Sequence, residues 1–196
     1  STRAIHNYFF VKGLDTLREG GILAFITSQG LLDSPSNKPI REYLMNNSSL
    51  VSAIRLPENL FTENAGTEVG SDLIVLQKNT GKGIVSEQEH LFIETVDVPD
   101  PDNPDKVLFT HNAMFATESM ENCVATSRKL STNPYGKKCM VYNHEGGIEG
   151  ICSDLKLKLD RDISNELSKG LFYGDDDYVE KLQGEMEAKQ AFTYMP

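Results

Sequence analysis

The residues whose types and spacing could do chemistry fall into a few small groups. Asp175-Asp176-Asp177 is a run of carboxylates of the kind that holds a metal ion. It directly precedes a helical pattern that continues to Lys189, and carboxylates at a helix start accept free N–H groups and meet the positive end of the dipole, so capping is the expected role. Cys139, His144 and Cys152 bring two thiols and an imidazole close in sequence without a zinc-ligand spacing. With Cys123 they make an odd set of three cysteines, too few for a disulfide framework, so free buried thiols are expected and no metal site. Asn133-Pro134-Tyr135-Gly136 follows the polar Ser131-Thr132 and runs into Lys137-Lys138, which is the chemistry of a tight turn. Arg41 and Arg55 could each meet a phosphate, but surface or helix-end ion pairs are the more ordinary use of such arginines, and neither is placed in the site.

Composition bounds the partners. The chain of 196 residues is 39% hydrophobic, enough for a true core in one or two domains and without the bias of a disordered protein. No apolar run approaches the roughly 20 residues that span a bilayer, and the N-terminus lacks a basic-then-apolar signal, so a cytoplasmic protein is expected. A net charge of −10 opposes binding to phosphate backbones. Residues 1–79 carry seven Lys/Arg against eight Asp/Glu and residues 80–196 twelve against twenty-one, so the acidity belongs to the second part. Contact with a polyanion is therefore expected to be local and to come from the first part, or from protein outside this chain.

Those residues are positioned by a regular series of elements. Ile5 to Leu17 begins an amphipathic helix with Phe9, Leu14 and Leu17 near one face, ending at Gly20-Gly21. Ile22 to Thr27 is a near-continuous apolar run, read as a strand buried on both faces, as in a parallel sheet. Pro39 to Met45 is a second helix with its proline in the first turn, and Leu50 to Pro57 and Ser71 to Lys78 are two more strands. The helix before Ile22 would normally be the crossover from an earlier parallel strand, so a strand is expected upstream and the chain is read as a fragment.

The series NYFF, LREGG-ILAFITSQGLL, IREYLM, AIRLPENLF and SDLIVLQK, over roughly residues 3–79, resembles the second half of the N6-adenine DNA methyltransferase domain. The likeness is to modification subunits of type I restriction systems and to large helicase–methylase proteins of mobile elements. It implies an α/β fold: the second half of an S-adenosylmethionine-dependent, Rossmann-like sheet, with three strands, two helices and a small α+β appendage. Ile22–Thr27 would be the fifth strand, Leu50–Leu56 the sixth and Leu73–Gln77 the antiparallel seventh, with helices at about 4–18 and 39–46. The family's glycine-rich cofactor loop and its catalytic Asn-Pro-Pro-aromatic motif are not in the sequence, so no catalytic or cofactor-binding residue is assigned, S-adenosylmethionine belongs to the parent protein, and the chain alone is expected to be inactive.

The resemblance also suggests where a target adenine is received. In these enzymes an aromatic ring follows the sixth strand, where this chain has Leu56-Pro57-Glu58-Asn59-Leu60-Phe61, and Phe61 is the expected stacking platform; a core phenylalanine closing the sheet edge is the alternative. The loop to Gly70, with Gly66, and the residues Thr27, Ser28 and Gln29 would lie at the carboxyl ends of the parallel strands, where open α/β sheets bind ligands. Residues 80–106 are expected to hold a strand, Leu91 to Val96, and a Pro/Asp-rich linker, Val98 to Asp105; residues 107–196 form an accessory region with C-terminal helices, one bearing the docking stripe Ile151, Leu155, Leu159, Ile163, Leu167.

The expected partners are DNA, through the parent protein, and the missing first half of the domain. Without that half, the open edge of strand 22–27 is expected to drive self-association. Two rival readings stay open: an amino-methyltransferase acting on RNA or protein, and a non-catalytic interaction module.

Overall fold

A computed structural model describes residues 5–61, 70–133 and 136–174. Gly66, Pro134, Tyr135, Asp175-Asp176-Asp177 and the helical pattern to Lys189 lie outside the described residues.

The first part is built as the apolar pattern dictates. Helix α1, Ile5–Thr16, buries Asn7, Phe10 and Leu14, which recur once per turn. The expected face is corrected: Phe9 is 54% exposed and Phe10 takes its place, because five residues separate Phe9 from Leu14 and put them about 140° apart around the helix. The chain then turns at Gly20, whose φ is +75° and whose position leaves no room for a side chain, since a Cβ would lie 1.7 Å from the Leu171 carbonyl oxygen. Strand β1, Ile22–Ser28, leads to the four-residue helix α2, Gly30–Asp33, and to α3, Lys38–Asn47. Pro39 stands in the first turn of α3, where its missing N–H costs nothing.

Strands β2, Ser48–Leu56, and β3, Ser71–Lys78, complete a three-stranded sheet in the order β1-β3-β2. Both outer strands are antiparallel to β3, so β1 and β2 run in the same direction. β2 and β3 are buried almost throughout, since α3 packs on one face of β2 and Ile151, Leu155 and Leu159 join Ile54, Leu56 and Leu73 on the other. β1 is not buried on both faces as the sequence suggested. Leu23 and Phe25 face α1, but Ala24, Ile26 and Ser28 are exposed because no second layer among the described residues covers that side of β1.

The second part departs from expectation in two places. Residues 91–96 are not a strand: helix α4, Glu87–Ile93, runs through the first half, and β4, Thr95–Asp100, starts after it. The cause is a capping box, in which Ser86 accepts from the Glu89 N–H and Glu89 from the Ser86 N–H, and Phe92 and Ile93 then enter the core. Residues 98–105 are not a linker, since β4 pairs antiparallel with β5, Asn103–Asn112. Two-stranded ribbons have only edges, so Pro99 and Pro104 forfeit no ladder bond that matters, and the register shifts on either side of Pro99. A second hairpin, β6 (Ser127–Thr132) with β7 (Lys138–Asn143), is followed by α5, Gly147–Glu166, and α6, Lys169–Tyr173. The expected docking stripe holds from Ile151 to Leu159, but Ile163 is 40% exposed. Phe92, Met114, Phe115, Cys123 and Tyr142 share one cluster with Phe10, Leu44 and Ile74, so the core crosses residue 79. All three cysteines are free, but only Cys123 is buried; Cys139 is half-buried and Cys152 exposed. No helix among the described residues is long and apolar enough to cross a membrane.

The polar centre of this core is Arg55. Its Nε and Nη2 donate to the two Asp72 carboxylate oxygens at 2.8 and 3.0 Å, and Nη2 also donates to Asp33 Oδ1 at 2.9 Å. The guanidinium lies over the Phe115 ring, 4.1 Å from its centroid. Burial opposes its charge, but Asp33 and Asp72 outweigh that and hold Arg55 well above its usual range. Arg41 is equally buried and satisfies carbonyls at helix ends, donating to Ile93, Leu31 and Ser34, while burial pushes it down to about 10. Neither arginine is at the surface, so neither is a phosphate ligand.

Removing Arg55 leaves two carboxylates without their cation. Arg55→Met is expected to cost about 3–5 kcal/mol in denaturant unfolding, and Arg55→Met with Asp72→Leu to cost less than the single change. Equal losses for the two variants would show that the charge pairing is not what the core depends on.

Candidate substrate-binding rim

The sheet ends in a rim whose geometry follows from its register. Ser28 and Leu56 both pair with Ser71, so the carboxyl ends of β1 and β2 meet the amino end of β3 on one level. One residue deeper, Thr27 and Arg55 both pair with Asp72. Of the residues expected here, Ser28 is exposed, Thr27 is buried and Gln29 is half-buried. Gln29 and Gly70 are brought together: the Gln29 N–H donates to the Gly70 carbonyl at 3.4 Å, and a Cβ on Gly70 would lie 2.4 Å from the Gln29 carboxamide carbon. That close approach is to the movable end of the Gln29 side chain, so it reflects packing of Gln29 against Gly70 without demanding glycine there, and Ser28 is the side chain of this group that reaches the surface. Thr27 also lines a shallow hollow of about 230 Å³ with His6, Phe9, Phe25 and Ile26.

Phe61 stands at the same rim. After Leu56 and Pro57 the chain makes a single 3-10 turn, Glu58–Phe61, closed by the Leu60 N–H donating to the Pro57 carbonyl at 3.1 Å. Leu60 packs on the cluster of Ile54, Leu56, Val124 and Ile151, while Phe61 is half-buried and joins neither apolar cluster.

A clamp holds this turn. Asn59 Nδ2 donates to the His144 carbonyl at 3.0 Å, and the His144 N–H returns a bond to Asn59 Oδ1 at 3.2 Å. The His144 ring is fixed in turn: Nδ1 accepts from the Gly146 N–H at 3.0 Å, which leaves the proton on Nε2 to donate to Asp154 at 3.1 Å. Gly146 and Gly150 make room, since a Cβ at either would lie under 3 Å from the imidazole Cε1. With both nitrogens engaged, His144 has no lone pair to offer a metal alongside Cys139 and Cys152. The glycine-rich stretch after His144 was the one sequence signal of this close packing.

Asn133 is a turn residue, as expected. Its N–H donates to the Lys137 carbonyl at 2.8 Å, its Oδ1 accepts from the Lys137 N–H at 3.0 Å, and Gly136 closes the turn with a φ of +76°.

Among the described residues the rim has no glycine-rich loop of the kind that cradles S-adenosylmethionine. Of the carboxylates beside it, Asp72 is fully engaged by Arg55, and Asp33 Oδ1 accepts from both Arg55 and the Asn112 N–H. The turn from β1 into α2 carries one glycine, Gly30, and no glycine-rich loop.

The clamp makes a measurable claim. Asn59→Ala is expected to lower stability by about 1–3 kcal/mol, by leaving the His144 amide unpaired, and to speed hydrogen exchange at His144 and Leu60. Unchanged exchange at Leu60 would show that the turn is held by Leu60 packing alone.

A family model described as N-6 DNA methylase matches residues 3–157. No curated protein matches the chain. The match runs past residue 79, where the resemblance in the sequence thins, and takes in both hairpins, the Asn59–His144 clamp and the first half of α5. The chain belongs to the N-6 DNA methylase family.

Proposed function

We propose that this chain is the base-receiving part of a DNA methyltransferase that transfers a methyl group from S-adenosylmethionine to N6 of adenine, in a restriction–modification or mobile-element setting. Phe61 carries the reading: it ends a clamped turn at the carboxyl ends of β1 and β2, half-buried and outside both apolar clusters. A methylated base must leave the duplex, which costs a few kcal/mol of unstacking, and an aromatic face returns about 1–3 kcal/mol of it. Ser28, exposed on the same level, can donate to or accept from the extruded nucleotide. The Asn-Pro-Pro-aromatic motif and a glycine-rich cofactor loop are not among the 196 residues, so on this reading both are supplied by polypeptide outside them.

The free edge of β1 fits that division. Among the described strands β1 pairs only with β3, and Ile26, Ile5, Tyr8 and Phe9 lie exposed beside it or on α1. A strand with apolar neighbours would complete the edge and cover these side chains, and the strand bearing the catalytic motif is the proposed occupant. The chain by itself is then expected to incorporate no methyl groups into DNA and to self-associate through residues 22–28, which light scattering at several concentrations reads. Methyl transfer by the chain alone would overturn the division, and a strict monomer would overturn the exposed-edge argument.

In the whole protein, Phe61→Ala is expected to lower kcat/KM for DNA by about 5- to 150-fold, the equivalent of 1–3 kcal/mol, with Phe61→Tyr close to wild type. A substrate with the adenine opposite an abasic site should partly rescue the alanine variant, because that base costs less to extrude. A stability loss of about 3–5 kcal/mol without such rescue would make Phe61 a core residue instead.

A further inference from the structure

The β6–β7 hairpin departs from the charge of everything around it. Residues 122–144 contain no Asp or Glu, although the chain carries 29, and they hold Arg128, Lys129, Lys137 and Lys138. Elsewhere some cations are neutralised, Lys38 by Glu94, Lys82 by Glu89, Lys156 by Asp160, and Arg161 by Glu121 and Asp162, while others without an ion pair to a described residue, such as Lys106 and Lys158, lie in stretches that also carry carboxylates. None of the four hairpin cations forms an ion pair with a described residue. Arg128 donates to the Thr117 carbonyl at 2.9 Å and Lys138 to the Thr132 hydroxyl at 3.0 Å, contacts that leave their charge uncompensated. Lys129, Lys137 and Lys138 are exposed.

The hairpin also sits beside the rim. β7 packs against the turn Glu58–Phe61, and the Cys139 thiol is pushed up by burial and then by the nearby Glu58 carboxylate. Cys139 adjoins Lys138, so the basic tip begins next to the turn that carries Phe61. The register puts Lys138 opposite Thr132 and Lys129 opposite Val141, and these two rungs present opposite faces, so the cations lie on both faces of the ribbon. Val141 and Tyr142, on opposite faces, are buried at the base of the ribbon, so the part free to lie along a duplex is its exposed outer portion, where Lys129, Lys137 and Lys138 can meet phosphates.

We propose that the β6–β7 hairpin is a duplex-DNA contact that seats the phosphate backbone beside Phe61, a role that rests on the reading of the rim as the place where adenine is received. The contact positions the duplex and carries no sequence information, because lysine–phosphate contacts do not distinguish bases. The expectation that polyanion contacts come only from residues 1–79 or from outside the chain is thereby revised.

The test uses the whole protein with Lys129, Lys137 and Lys138 changed together to Gln, beside a triple Arg variant and a thermal melt that confirms folding. For a 30-base-pair duplex followed by anisotropy, the slope of log affinity against log salt should fall by about 2 to 3 in the Gln variant, at about 0.9 per phosphate contact, and stay near wild type in the Arg variant. In methylation assays KM for DNA should rise about tenfold while kcat at saturating DNA is unchanged. An unchanged slope in the Gln variant overturns the proposal and leaves the Phe61 reading standing, since that depends on base-flip rescue. Tighter binding of single-stranded RNA than of duplex DNA also overturns it. If the whole protein transfers no methyl group, the Phe61 reading fails, and the salt slope still decides the role of the hairpin.

Discussion

A guanidinium with no access to water sets the terms for the rest of this structure. Arg55 lies in β2 with Asp72 beside it in β3 and Asp33 above it in α2, and the three charges are reached from three different elements. Such a group is expensive to desolvate and is tolerated only when its partners are held in place. That requirement fixes β2 against β3 at the rung Arg55–Asp72 and pins the start of the segment after β1 through Asp33. The next rung outward is Ser28, Ser71 and Leu56, which is the rim itself. The site is thus laid one residue above the charge cluster, and Thr27, level with Asp72, belongs to the support and not to the surface.

The later elements complete this support. Phe115 and Tyr142 stack over Arg55, at 4.1 and 5.6 Å from its guanidinium carbon, and the Asn122 carbonyl and Val124 N–H pair with the Arg55 backbone along the outer edge of β2. His144 holds Asn59, and Ile151 and Leu155 back the cluster on which Leu60 rests. Residues 113–155 therefore close the core and brace the rim at once. A family match that continues to residue 157 agrees with that physical dependence, because without these residues β2 would expose both an edge and a face.

What was legible in the sequence was what local pattern controls. The turn at Gly20, the apolar run from Ile22, the proline at the start of α3 and the two later strands are each signalled within a few residues, and all of them form. The Asn133 turn was readable for the same reason, lying within a turn motif. The burial of Arg55 was not, because it depends on carboxylates 17 and 22 residues away, and Asn59 finds its partner at a separation of 85. Residues 86–93 carry a local helix signal of their own. Ser86 and Glu89 spell a capping box, and it outweighs the strand-like apolar triplet Leu91, Phe92, Ile93. The hairpin over 98–105 was hidden because proline is unfavourable in sheets generally, and only the two-stranded topology makes it harmless.

The rim separates two unlike surfaces. β3 stands between β1 and β2, so the open edge of β1, with Ile26 beside it, lies on one side of the sheet, and the ribbon β6–β7, linked to the outer edge of β2 through residues 122–124, lies on the other. One side is apolar with backbone groups unpaired among the described residues, which suits a protein strand; the other carries exposed cations in a chain of net charge −10, which suits phosphate. The near-neutral first part and the acid-free stretch 122–144 meet at the rim, so the carboxylates concentrated elsewhere in the second part do not oppose a polyanion there. On the reading proposed above, the catalytic strand and the duplex therefore reach Phe61 from opposite sides, and neither has to displace the other for a base to enter between them.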